Sequence, residues 1–264
     1  MAAAWLRAFA YVLFISAPLL ARADAPPSVF LEDLTSPELA ARIRGGATTV
    51  IIPVGGTEQN GAHMALGKHN VRVRVLSERV ARALGNAVVA PVIAYVPEGS
   101  VNPPTGHMRY PGSLTIPPDV YRAVIESAAR SLKLAGFRDI VLLGDSGDYQ
   151  KDDATVAAKL DKEWAATPVR VHAIGEYYRA ATTGFWDSLR KQGFKDGEIG
   201  PHAGLADTSL MLATNPALVR MDRMQKSDGV TGDPAHASAK LGQGAADAIV
   251  LQTVAAIQAA TQRK

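Results

Sequence analysis

The chain has 264 residues, of which 47% are hydrophobic and 20% are charged, so it can bury a sizeable core and is not intrinsically disordered. It contains no cysteine, which excludes disulfide bonds, thiolate catalysis and cysteine-based zinc sites. No repeat of fixed period is visible, which excludes solenoid and propeller architectures.

The first 23 residues have the pattern of a secretory signal peptide. Arg7 supplies a positive charge, the uncharged stretch Ala8–Ala21 follows, and a small-x-small cleavage site ends at Ala23. A second such site ends at Ala25. An uncleaved anchor helix is the alternative, although the apolar run is short for a membrane span. We therefore predict a periplasmic or secreted protein, with no stable membrane anchor after cleavage and a single domain over residues 24–264.

Removal of this segment changes the charge balance of the chain. The full sequence has 28 Lys and Arg residues against 25 acidic residues, and two of the basic residues, Arg7 and Arg22, lie in the predicted signal peptide. The mature chain would be almost neutral, so the basic excess of the full sequence does not indicate nucleic-acid binding.

Four apolar, β-branched runs predict buried strands, with helical patterns between them. The predicted strands are Thr48–Val54, Ala87–Val96, Asp139–Leu143 and Val169–Ile174. The predicted helices are Val71–Leu84, Pro118–Ala135, Ala154–Ala166 and Ala237–Ala260. Strands that alternate with helices indicate an α/β fold with a mostly parallel sheet. Because ligands of such folds bind at the carboxyl ends of the strands, the loops after Val54, Val96 and Leu143 are the candidate site.

The loop after the first predicted strand is rich in glycine and carries Glu58, His63 and His69. A carboxylate and imidazoles that converge at a strand end can bind a divalent metal ion. The alternative is a glycine-rich loop whose polar side chains are simply solvated.

A second loop, between Tyr95 and the helix predicted at residue 118, carries His107 and Tyr110 among glycine and proline residues. These two side chains can line a pocket. A turn-rich stretch at residues 229–234 is better explained as a structural turn.

The third predicted strand is followed by Asp145, Ser146 and Asp148. The two carboxylates can ligate a metal ion or act as acid and base. Alternatively, Ser146 or Asp148 caps the helix that follows, and we expect one of the three side chains to do so. The Gly-x-Ser-x-Gly pattern is absent here, so a serine hydrolase is not favoured.

His202 precedes an apolar segment that we expect to be helical, with Asp207 in its first turns. Because small residues surround His202, a ligand can approach its imidazole closely. Capping of the helix by Asp207 or Thr208 is the alternative explanation of the polar residues here.

Taken in order, these blocks resemble the creatininase family over about residues 36–245. The matching segments are Pro53–Gln59, the glycine and histidine pattern of residues 61–67, Tyr110–Ser113, Gly144–Asp148, His202–Ser209 and Gly229–Pro234. The resemblance implies a three-layer α/β sandwich that hydrolyses amide bonds, often cyclic ones. It also implies one or two divalent metal ions, zinc or manganese, and a homo-oligomer such as a hexamer.

By this resemblance, Glu58 corresponds to a glutamate metal ligand and His202 to a histidine that assists proton transfer. The chain departs from the family pattern at four positions: Asn60 and Ser146 replace histidines, His69 replaces a bridging aspartate, and Asp207 replaces a glutamate. A neutral imidazole cannot bridge two cations as a carboxylate does. We therefore predict one metal ion per chain rather than two, on ligands drawn from Glu58, His69, Asp145, Asp148 and Asp207.

The sequence thus predicts an exported, metal-dependent hydrolase of a small amide or cyclic C–N bond. The metal ion would polarise the carbonyl and activate water, and His202 would relay a proton to the leaving nitrogen. His63, His107 and Tyr110 would shape the substrate pocket. Because a fold does not fix a function, a non-catalytic small-molecule-binding protein with a degenerate metal site is the alternative.

Overall fold

The computed structural model describes residues 28–262. The predicted signal peptide and both of its cleavage sites lie outside the described residues. Within residues 28–262, no helix is both long enough and apolar enough to cross a membrane.

Four parallel strands form one sheet in the order β2-β1-β3-β4. The strands are β1 (Thr49–Val54), β2 (Ala87–Val89), β3 (Asp139–Gly144) and β4 (Arg170–Ala173). The prediction of a parallel sheet is confirmed. Strands β1 and β3 pair along their whole length, from Thr49 opposite Asp139 to Val54 opposite Gly144. The loops that leave their carboxyl ends therefore start side by side.

Nine α-helices surround the sheet in the part of the chain that the structure describes. They are α1 (Ser36–Arg44), α2 (Lys68–Leu84), α3 (Pro118–Ala135), α4 (Gln150–Glu163), α5 (Gly175–Arg179), α6 (Phe185–Lys191), α7 (Asp196–Ile199), α8 (Leu205–Thr214) and α9 (Ala239–Thr261). A π-helical segment, Ala180–Gly184, joins α5 to α6.

Two apolar cores lie on opposite faces of the sheet, because successive strand side chains point to opposite sides. Ile51 and Val141 belong to the core that includes α2, α8 and α9, whereas Val50 and Ile140 belong to the core that includes α3 and α4. The fold is therefore a three-layer α/β sandwich, as predicted.

The structure corrects several predicted boundaries. The strand predicted over Ala87–Val96 ends at Val89, because Pro91 has no amide hydrogen for the ladder, and only an isolated bridge at Ile93 continues the pairing. Helix α2 begins at Lys68 rather than Val71. Lys68 and His69, which lie before the predicted helix start, thus stand in its first turn.

The expectation that Asp145, Ser146 or Asp148 caps the helix that follows is wrong. Helix α4 has Tyr149 at its N-cap and α8 has Gly204, and no side-chain hydrogen bond caps either helix. The carboxylates of Asp145 and Asp207 bind cationic side chains instead, as described next.

Candidate active site

A polar cleft lies beyond the carboxyl ends of β1 and β3. Seven of the nine predicted site residues line it: Glu58, His69, His107, Asp145, Asp148, His202 and Asp207. The cleft also contains Lys68 and Arg72, which the sequence analysis did not select. These two residues stand four apart on α2, so they share one face of the helix.

The other two predicted residues, His63 and Tyr110, do not line this cleft. His63 is fully buried, and its Nε2 lies 2.9 Å from the hydroxyl of Thr208 on α8. The hydroxyl of Tyr110 donates to Asp228 at 2.9 Å. The structure places both side chains in contacts between segments rather than in the pocket.

Tyr149 holds the two strand ends together. Its hydroxyl donates to the carbonyl of Gly55 at 2.6 Å and accepts from the backbone amides of Asp145 and Ser146 at 3.1 and 2.9 Å. This contact fixes the loop after β1, which carries Glu58, against the loop after β3.

Six largely buried charged side chains form a closed ring of alternating sign, which we call the ion-pair ring: Glu58, Lys68, Asp207, Arg72, Asp145 and His69. The ammonium of Lys68 lies 3.1 Å from Glu58 and 2.9 Å from Asp207. The guanidinium of Arg72 lies 2.8 Å from Asp207 and 2.7 Å from Asp145. Each cation thus links two carboxylates that belong to different loops or helices.

His69 closes the ion-pair ring. Its Nδ1 lies 2.7 Å from Asp145 and its Nε2 lies 2.9 Å from Glu58, so an imidazolium can donate to both. Burial and Lys68 oppose that charge, but Glu58 and the hydrogen bonds to both carboxylates raise the pKa of His69. Tyr177 donates to the other oxygen of Asp145 at 2.6 Å. With His69 protonated, three cations balance three anions.

The ring also keeps its other members charged. Burial opposes ionisation of Glu58, but Lys68 and His69 hold the pKa of that carboxyl well below its usual range. Lys68 and Arg72 likewise outweigh burial and hold the pKa of Asp207 well below its usual range. In return, Asp207 and Glu58 outweigh burial and raise the pKa of Lys68.

Two further imidazoles lie beside Glu58. His107 Nε2 lies 3.2 Å from Glu58 Oε2, and His202 Nδ1 lies 3.6 Å from Glu58 Oε1. His202 Nε2 lies 3.0 Å from the carbonyl oxygen of Gln59. Burial and the positive charge of Lys68 lower the pKa of His202 to about 4, so the ring is neutral near pH 7.

Glu98, which the sequence analysis missed, lies beside this group. It is 3% exposed, and neither carboxylate oxygen has a hydrogen-bond partner among the described residues. Burial and the neighbouring Glu58 carboxylate raise the pKa of Glu98 to about 9. Glu98 follows Val96, the end of the predicted second strand, and this position was the one signal in the sequence that pointed to it.

Two sets of side chains offer ligand atoms within 4.8 Å of one another and can hold a divalent ion. The first set is Glu58, His107 and His202, and the second is Glu98, His107 and Asp148. The predicted ligands His69, Asp145 and Asp207 are already bound within the ion-pair ring, so an ion on them would have to displace Lys68 or Arg72. A metal role for these three residues remains a prediction.

Two curated proteins are similar to most of this chain. The creatinine amidohydrolase of Pseudomonas putida is 28% identical over 215 residues, which cover 78% of this chain and 80% of that protein. A mycofactocin precursor peptide peptidase of Mycobacterium tuberculosis is 23% identical over 235 residues, which cover 77% of this chain and 82% of that protein.

Solved structures of creatininases share the fold. A crystal structure of creatinine amidohydrolase aligns with a TM-score of 0.75 at 23% identity, over 90% of this chain and 100% of that chain. A structure named "Creatininase Mn" aligns with a TM-score of 0.72 at 24% identity over the same shares. A creatininase variant described as "Zn-Zn type" gives 0.70 at 25% identity, again over 90% and 100%.

The family model described as creatinine amidohydrolase matches residues 32–257. This range spans most of the 264 residues and contains the whole ion-pair ring together with both candidate ligand sets. The protein therefore belongs to the creatininase family.

Proposed function

We propose that this protein hydrolyses an amide or cyclic C–N bond of a small molecule with the help of one divalent metal ion, zinc or manganese. The observation that carries the proposal is the convergence of Glu58, His107 and His202 in one cleft. Membership of an amidohydrolase family and the similarity to both an amidohydrolase and a peptidase support it.

The candidate ligands support a single ion. His107 belongs to both ligand sets, and a neutral imidazole has only one lone pair for a metal ion. The two sets therefore compete for His107 rather than bind two ions through it. When bound, such an ion polarises a carbonyl group and lowers the pKa of bound water.

The side chains around the ion have separate tasks in this proposal. His202, held between Glu58 and the carbonyl of Gln59 and neutral near pH 7, would accept a proton from the attacking water and pass it to the leaving nitrogen. Lys68 contacts Glu58 and Asp207 and keeps both carboxylates ionised. It makes no hydrogen bond to His107, which is shared by the two ligand sets.

We expect the purified protein to retain one equivalent of zinc or manganese after dialysis, and Glu58→Gln to lose it. Glutamine keeps the shape of glutamate and removes its charge, so the variant tests the charge. Elemental analysis measures the ion, and a panel of cyclic and linear amides that includes creatinine, assayed before and after a chelator, measures hydrolysis.

Asp153→Asn is the matched control, because Asp153 is a buried carboxyl that accepts a hydrogen bond from the hydroxyl of Tyr121 and belongs to neither ligand set. It should keep its ion. Two equivalents in the unmodified protein would contradict the single-ion proposal. No ion and no hydrolysis of any amide would contradict the enzyme and favour a non-catalytic binding protein.

We also propose that the protein is exported and cleaved after Ala23 or Ala25, on the pattern of residues 1–25. N-terminal sequencing of the periplasmic protein should begin at Asp24 or Pro26. Leu13→Arg, which interrupts the apolar stretch, should remain uncleaved. Recovery of the unmodified protein in the cytoplasm with Met1 intact would contradict the proposal of export and cleavage.

A further inference from the structure

The charges of the ion-pair ring leave one carboxyl group unexplained. Each of the three ring carboxylates already has two partners within the ring. Glu98 is outside the ring, and neither of its oxygens has a donor within residues 28–262. A buried carboxylate without a partner costs free energy, so a native fold that keeps one needs a further positive species.

The surroundings of Glu98 show where that species belongs. A Cβ atom placed on Gly56 would come within 2.7 Å of Glu98 Oε1, so the glycine makes room for this carboxylate beside the loop of Glu58. His107 offers a ligand atom within 4.8 Å of both Glu58 and Glu98, so the two buried carboxyls stand on either side of one imidazole. Buried carboxyls so placed share either a proton or a cation.

The neighbouring ligands favour the cation over the proton. Glu98, His107 and Asp148 each offer one ligand atom, and these atoms lie within 4.8 Å of one another. Two ligands of one tetrahedral zinc ion, each at about 2.0–2.2 Å, stand about 3.3–3.6 Å apart. Side-chain movements of about 1 Å would therefore bring all three atoms onto one ion, whereas a shared proton would need none of this convergence.

We infer that Glu98 is a ligand of the divalent ion, together with His107 and Asp148, and that the ion lies beside Glu58. Two carboxylates and an imidazole suit zinc or manganese. The inference rests on the proposed function for the identity of the ion. Its test is binding rather than hydrolysis.

Glu98→Gln distinguishes a bound cation from a shared proton, because glutamine imitates a protonated carboxyl group. If the ion is bound here, titration of metal-free protein with Zn²⁺ or Mn²⁺ in a calorimeter should show affinity lowered by at least about 10-fold, since even the outer partners of metal ligands are worth about 10–100-fold. Asp148→Asn, at an exposed position, should weaken binding as well and should not disturb folding.

Asp153→Asn is the matched control, since Asp153 is a buried carboxyl outside both ligand sets whose partner is the hydroxyl of Tyr121. It should bind the ion as the unmodified protein does. Unchanged affinity in both Glu98→Gln and Asp148→Asn would overturn the inference and leave the proposed function standing. Absence of any ion from the unmodified protein would overturn both.

Discussion

Replacement of Lys68 by methionine should lower the free energy of unfolding by about 3–5 kcal/mol, the usual cost of removing one partner from a buried ion pair. The Lys68 side chain is 1% exposed, and its ammonium is shared by Glu58 and Asp207. Methionine fills much of the same volume, so the loss would report the missing charge rather than a cavity. Urea unfolding followed by circular dichroism measures it.

Arg79→Met is the control for this prediction, because Arg79 pairs with Asp247 at 2.6 Å on the surface, where the side chains are 36% and 58% exposed. Loss of this surface pair should lower the free energy of unfolding by less than about 1 kcal/mol, since solvent screens exposed pairs. Equal losses in the two variants would show that the ion-pair ring adds nothing beyond an ordinary surface contact.

Replacement of His202 by asparagine should lower kcat by about 10²- to 10⁴-fold, the usual worth of a group that transfers a proton. Asparagine keeps a polar group near the carbonyl of Gln59 and removes the titratable ring. The assay uses whichever amide the panel identifies, and elemental analysis of the same preparation measures the ion.

The ion content decides between two roles for His202, because His202 also belongs to the ligand set with Glu58 and His107. Retention of the ion with a lower kcat supports proton transfer. Loss of the ion would assign His202 as a ligand and contradict that role. His236→Asn, at a histidine that is 70% exposed and outside the cleft, should change neither quantity.

The positions where the chain departs from the family pattern have structural partners here. Asn60 is fully buried, and its amide donates to the carbonyls of Glu58 and Ala65 at 2.9 and 3.1 Å. His69 joins two carboxylates of the ion-pair ring. At these two positions, side chains that organise the loop and the ring stand where the resemblance implies metal ligands.

Local pattern was enough to predict the layers of the fold and the place of the cleft. Apolar β-branched runs mark β1 and β3, and the polar residues that follow a parallel strand must lie at its carboxyl edge. Glu58 and Asp145 could therefore be selected from the sequence alone. The second strand was predicted too long because the apolar run continues through Pro91, which cannot join the ladder.

The sequence by itself thus determined the α/β class, the strands that carry the site and most of its carboxylates and imidazoles. Only the tertiary structure decided which charges are buried together. Lys68 and Asp207 are 139 residues apart in the chain and 2.9 Å apart in space, and Glu98 and His107 of one loop meet Asp148 of another only through the packing of the two loops. The physical reason is that an ion pair depends on distance and burial, which the packing of the elements sets, whereas a sequence pattern records only spacing along the chain.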